Sequence, residues 1–228
     1  MIAKKIRFTV LSPLNYYYIQ AGRGLRPSPF IGDIALKYSL LHGMGLHNFN
    51  IPGKTQPTYE ELAEYRFWFT VAMPPYYSTS NGDSEPSLMH AIYRNTMQGI
   101  DYNGTNAHPN IRTGSIMYKN FFFQQHIKPG NQFYAFFLSE DEIKLPEALR
   151  VGTGKVGSVR VDEIEQPFDM QGYVNLYTIQ NILGKKEFGE KFLDRDFQFR
   201  EHVSLPYYIL GPVDLPSLEE VYFGTHDS

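Results

Sequence analysis

Arg150-Val151-Gly152-Thr153-Gly154-Lys155-Val156-Gly157-Ser158-Val159-Arg160-Val161 is the stretch in which glycine, cation and strand pattern meet. Gly152, Gly154 and Gly157 let the backbone take positive φ and approach a partner with no Cβ in the way. Arg150, Lys155 and Arg160 surround those glycines with positive charge. From Val156, the residues Val156, Ser158 and Arg160 alternate with Gly157, Val159 and Val161, a period of two that predicts a half-buried strand. A glycine turn therefore feeds a strand.

The enzymatic readings of this loop fail on context. A P-loop places a glycine five residues before the G-K pair and Ser or Thr after it, but Leu149 and Val156 occupy those positions. Gly152, Gly154 and Gly157 satisfy G-x-G-x-x-G, yet a dinucleotide loop opens a helix and here a β-branched strand follows. No H-R-D or D-F-G set follows, so the kinase version lacks its chemistry. Two readings stay open: a structural glycine turn, and a backbone cradle for the phosphates of a nucleic acid.

The 228 residues suffice for one good core and permit one domain with insertions or two small ones. The chain has no cysteine, which excludes disulfides and thiolate metal sites and fits a cytoplasmic setting. No apolar run is long enough to span a bilayer, and Met1-Ile2-Ala3-Lys4-Lys5 leads into an alternating strand rather than a signal-peptide core, so no membrane association is expected. A net charge of −3 argues against a protein that coats nucleic acid over its whole surface, leaving room for a local basic patch. Seventeen Tyr, seventeen Phe and one Trp supply core, protein interface or base-stacking platforms.

From the N-terminus, Lys5, Arg7 and Thr9 alternate with Ile6, Phe8 and Val10 and predict the first strand. Tyr16 to Ile19 reads as a further extended piece. Gly22-Arg23-Gly24-Leu25-Arg26-Pro27 is too rich in glycine and cation for regular structure and makes a second basic loop. Ser28 as N-cap, Pro29 at the first helical position and apolar Ile31, Ile34, Ala35, Tyr38 and Leu41 predict a helix that Gly43 ends. Thr58 and Glu61 form a capping-box pattern before a short helix through Tyr65, and Arg66 to Ala72 reads as a buried strand. Residues 73–114, dominated by Ser, Thr, Asn, Gly and Pro around a more ordered piece at Leu88 to Met97, read as one long insertion. Ser115 to Ile127 and Gln132 to Leu138 are expected to pair as a hairpin through Lys128-Pro129-Gly130-Asn131. The acidic run 140–142 with Pro146-Glu147-Ala148-Leu149 predicts a short second helix. After Pro167 a strand-like piece, Tyr173 to Ile179, precedes an ambiguous stretch and an apolar run at Tyr207 to Leu210. The pattern is mixed α+β.

The succession of strand, helix, strands with a long insertion, hairpin, short helix, glycine loop and strand resembles the ferredoxin-like, RNA-recognition-type fold of the repeat-associated CRISPR proteins. More closely, Phe30-Ile31-Gly32-Asp33-Ile34-Ala35-Leu36-Lys37-Tyr38-Ser39-Leu40, Phe69-Thr70-Val71-Ala72-Met73-Pro74, and Leu149-Arg150-Val151-Gly152 with Lys155 are similar to the Cas-five family of subtype I-D effector complexes. The resemblance covers residues 1–165. It implies an antiparallel sheet with a glycine-rich loop and a thumb-like insertion, placed at 73–114, and leaves 166–228 as a C-terminal extension of unassigned fold. It further implies a noncatalytic subunit that holds the five-prime handle of a guide RNA at one end of a backbone filament. Its partners would be the backbone and large subunits, with target DNA close by.

Guide binding asks for cations to meet phosphates and flat side chains to stack on splayed bases. Arg150, Gly152, Gly154, Lys155 and Arg160 are the first candidates and Arg23 and Arg26 the second, with Arg112 and Lys119 below them. Tyr76 and Tyr77 are candidates for base stacking or a partner interface. The rival is a metal-independent endoribonuclease, for which His42 and Tyr38, one turn apart, make the suggestive pair. Only His42 and His47 approach a metal pair, and no further ligand accompanies them, so no metal or cofactor is expected. A third alternative is a pure protein-interaction subunit.

Overall fold

Ile6, Phe8 and Val10 alternate with Arg7 and Thr9, and in the computed structural model of the chain this alternation becomes β1 (Ile2–Val10), with the first three buried. The structure describes residues 1–14, 18–21, 24–46, 59–75, 94–101, 121–152, 157–165, 171–191, 197–199 and 208–224. After β1 come β2 (Tyr18–Ala21) and β3 (Gly24–Pro27), which pair antiparallel, so Gly24 to Pro27 is strand and not the irregular loop its composition suggested. Then follow α1 (Asp33–Gly43), a 3₁₀ turn at Glu60–Glu64, β4 (Phe67–Phe69), β5 (Arg94–Asp101), β6 (Phe121–Ile127) and β7 (Gln132–Ser139). The chain continues through β8 (Ala148–Val151), β9 (Gly157–Glu163) and β10 (Gln171–Asn175). A π-helical turn at Thr178–Ile182, α2 (Lys186–Lys191), β11 (Phe197–Phe199), β12 (Ile209–Asp214) and α3 (Leu215–Phe223) complete it.

A five-stranded, wholly antiparallel sheet in the order β4-β7-β1-β9-β8 forms the centre. A four-stranded sheet, β2-β3-β6-β5, and a three-stranded one, β10-β12-β11, accompany it. The expected hairpin between 115–127 and 132–138 does not form. Both edges of β7 are taken, by β1 and by β4, and β6 joins the four-stranded sheet instead. The Lys128–Asn131 turn does exist, with Gly130 at φ +92°, but it wraps the end of β1: Val10 N donates to Asn131 O at 2.9 Å and Gly130 N to Val10 O at 2.8 Å.

Other boundaries moved for local reasons. Helix α1 begins at Asp33, not at Pro29, because Ile31 is committed to a backbone bridge with Ala72 (3.0 and 2.9 Å). Its C-terminal end is where the sequence placed it, at Gly43, and Gly45, at φ +70°, turns the chain just beyond. The short helix expected from 140–142 and 146–149 does not form; 140–147 run without helix and Ala148–Val151 is strand β8, with Leu149 and Val151 buried and Ala148 and Arg150 exposed, a period of two. The strand-like run from Tyr173 stops at Asn175, whose side-chain oxygen accepts from Tyr177 N at 3.2 Å and starts a helical turn.

Helix α1 packs its Leu36, Leu40 and Leu41 into one core that also holds Phe8, Phe69, Phe133 and Phe137. The segment 171–224 contributes Val174, Ile179, Ile209, Val213, Leu218 and Val221 to that core. Two charged residues of α1 are fully buried within it. Asp33 accepts from Asn175 Nδ2 at 3.0 Å and Thr178 Oγ1 at 2.5 Å. Lys37 donates to Tyr65 O at 2.8 Å, and its ammonium sits 3.1 Å from the centre of the Trp68 ring, on which Tyr222 stacks. Burial pushes the Asp33 carboxyl up to about 6 and the Lys37 amine down to about 6.

Candidate nucleic-acid interface

The registers of the central sheet decide which polar side chains share a face. Arg150 lies opposite Ser158, Ala148 opposite Arg160, Thr9 opposite Arg160, and Arg7 opposite Asp162. On the other side of β1, Arg7 lies opposite Tyr134 and Thr9 opposite Gln132. Directly opposed residues point to the same side of a sheet. Arg7, Thr9, Tyr134, Arg150, Ser158, Arg160 and Asp162 therefore stand on one face, each exposed or half-buried. Ile6, Phe8, Leu149, Val151 and Val159 point to the other, into the core that α1 covers.

Arg150 and Arg160 thus meet on one face, as candidates from the glycine-loop stretch should. Arg150 is anchored through its backbone, where the Ser39 hydroxyl of α1 donates to its carbonyl at 2.6 Å, and its guanidinium has no ion-pair partner among the described residues. Arg160 donates from Nε to Asp162 Oδ2 at 3.0 Å. Arg7 reaches the same oxygen from Nε at 3.3 Å and Nη2 at 3.2 Å. Ser12 and Ser158 join their hydroxyls at 3.0 Å beside this cluster. Arg7 and Tyr134 were not picked out from sequence. The period of two in residues 5–10 marks Arg7 as outward-facing, but only the long-range register shows what it faces.

Gly152 sits at φ +109°, where a side chain is strained. A Cβ on Gly157 would strike Leu14 Cδ1 and the Val151 carbonyl. Both glycines therefore have a structural reason to be glycine, as the turn reading requires. Gly154, Lys155, Arg23, Tyr76, Tyr77, Arg112 and Lys119 lie outside the described residues. Arg26 belongs to β3, its backbone opposite Ile19.

For the nuclease pair, the Tyr38 hydroxyl donates to Glu61 Oε1 at 2.6 Å, and burial with that carboxylate raises its pKa above the ordinary phenol value. No group of three or more His, Asp or Glu able to hold a metal occurs among the described residues. No helix among them is long and apolar enough to cross a membrane. A cleft of about 230 Å³ lies between Arg66, Trp68, Ile182, Lys185 and Tyr222. Its lysine is turned to structure: Lys185 Nζ donates to Val221 O and Gly224 O, both at 2.7 Å, and closes the end of α3.

Comparison with known proteins follows the same direction as the motifs. The family model described as type I-D CRISPR-associated protein Cas5/Csc1 matches residues 1–206, well past the 1–165 over which the sequence resemblance was drawn. No curated protein matches the chain. Among solved structures, one chain of the type III-B Cmr-beta complex, determined by cryo-electron microscopy with cognate target RNA and AMPPnP, is similar at a TM-score of 0.38 and 11% identity, covering 73% of this chain and 64% of that one. The present chain thus spans less than two thirds of that relative's length.

Proposed function

The chain belongs to the type I-D CRISPR-associated Cas5/Csc1 family, and on that premise we propose that it is a noncatalytic subunit of an RNA-guided effector complex, gripping the five-prime handle of the guide RNA and capping the backbone filament. The observation that carries this reading is the set of arginines, Arg7, Arg150 and Arg160, on the sheet face opposite α1. Cations and a half-buried tyrosine on the solvent-reached part of a sheet face suit a single strand, whose phosphates and unstacked bases are both within reach. We extend the same contact to Gly152, Gly154, Lys155, Arg23 and Arg26, and assign Tyr76 and Tyr77 to base stacking or to a neighbouring subunit.

The strand order supports a ferredoxin-like core. Taking β1, β4, β7 and β9 as its four strands, the sheet runs fourth, first, third, second, with α1 after the first. Residues 140–147 run without helix where such a core carries its second helix, and β8 extends the sheet instead. We read β5, which lies within 73–114 and joins the four-stranded sheet, as part of the thumb over the guide and the adjoining subunit. Target DNA would lie near this end of the complex.

The test is a combined binding and cleavage gel with purified protein, labelled CRISPR repeat RNA carrying its handle, a scrambled control, and chelator throughout. Handle-preferring binding that falls in the Arg150/Lys155/Arg160→Ala variant, with RNA intact, supports the scaffold role. Chelator-resistant cleavage lost in His42→Ala makes the protein an endonuclease and overturns it. No RNA binding on the gel, with the other effector subunits still retained in a separate pull-down, makes it an interaction subunit.

A further inference from the structure

Three N–H donors converge on a single carboxylate oxygen on the solvent-reached β1–β9 part of this face: Arg7 Nε at 3.3 Å, Arg7 Nη2 at 3.2 Å and Arg160 Nε at 3.0 Å, all to Asp162 Oδ2. That is how arginines hold a phosphate oxygen. We infer that Asp162 is a built-in competitor for the RNA phosphate: it occupies the two arginines in the free protein and is displaced, in whole or part, when a strand lies across β1 and β9. The inference rests on the guide-RNA reading of this face.

The exposures make the exchange feasible. The Arg160, Arg7 and Asp162 side chains are 51%, 35% and 27% exposed, so solvent screens the pair and its dissolution is a small loss. A phosphodiester strand offers the same anionic oxygens, and counterions released from it add to binding. In the β1–β9–β8 part of the face the carboxylate offsets one of the three guanidinium charges, leaving Arg150 as the uncommitted one. Asp162 would thereby weaken binding to RNA in general, so that retention depends on whatever else the handle engages.

The experiment is fluorescence anisotropy over a salt series with the full chain and a labelled, mixed-sequence single-stranded RNA. Asp162→Asn is expected to bind roughly three- to tenfold more tightly, with a log K against log salt slope steeper by about 0.7 for each phosphate gained. That gain should vanish when Arg7 and Arg160 are both changed to Ala. Asp162→Ser serves as a second variant if the amide disturbs folding, judged by circular dichroism. Binding by the native chain that both Asp162 variants leave unchanged or weaken overturns the competitor role and makes Asp162 an aligner of the arginines. Failure of native chain and Asp162 variants alike to bind any RNA overturns the guide-RNA reading, and this one with it.

Discussion

Arg150 differs from the other two arginines of the face in having its backbone fixed while its guanidinium is left to solvent. Reversing its charge therefore disturbs little within the protein and much outside it. Arg150→Glu with Lys155→Glu should lower guide-RNA affinity by tenfold or more at low salt, as an order-of-magnitude expectation, and flatten the salt dependence while sparing subunit docking. Anisotropy and a pull-down of the assembled complex read the two effects separately. The buried pair on α1 makes a different prediction, in pH. Asp33, with its folded pKa raised to about 6, adds stability that is full below its ordinary value near 4 and is lost as pH rises through 6. Lys37, lowered to about 6, adds stability that is full above its ordinary value near 10.5 and is lost as pH falls toward 6. Together they place a dip in stability near pH 6. Urea midpoints from pH 4 to 10 should show Asp33→Asn flattening the acid limb and Lys37→Met the alkaline one.

At the scale of elements, Gly152 at the end of β8 and Gly157 at the start of β9 each sit where a side chain is strained or blocked, and a hydroxyl from α1 holds the β8 backbone. Gly157→Ala should lower stability by about 1–3 kcal/mol, because Leu14 and the Val151 carbonyl have to move apart. Ser39→Ala should cost about 1 kcal/mol by removing the donor to the Arg150 carbonyl, and chemical denaturation measures both. β1, β9 and β4, the Phe67–Phe69 part of the expected Arg66 to Ala72 strand, were legible because each carries a period of two or a buried aromatic run within a few residues. The pairing of β7 was not. The turn at Lys128–Asn131 predicts a local hairpin, and nothing local records that β1, more than a hundred residues earlier, claims that edge. The candidate site divides the same way: Arg150 and Arg160 stand in the glycine-loop stretch, whereas Arg7 joins them only through the register of β1 with β9. Asp33 and Lys37, four apart on a helix, look from sequence like a surface ion pair. Their burial depends on residues far along the chain.

For the molecule as a whole, the segment 171–224 supplies part of the core, bridges Val71 through Tyr173 and lays Tyr222 against Trp68. A chain ending at Glu165 should therefore lose cooperative thermal unfolding and bind a hydrophobic dye, since Trp68 and the α1 carboxylate would lose their cover. A chain that instead unfolds cooperatively would show that the first 165 residues close a core of their own. The contacts from Asp33 to Asn175 and Thr178 span 142 and 145 positions. During synthesis the helix emerges from the ribosome long before its partners, at roughly 5–20 residues per second. For several seconds its carboxylate has only water for company, and the aromatic core cannot seal over it. The Asp33 carboxyl therefore gains its partners only when the Asn175 region is translated, and a chain stalled before that point is expected to expose the same surface as the one ending at Glu165.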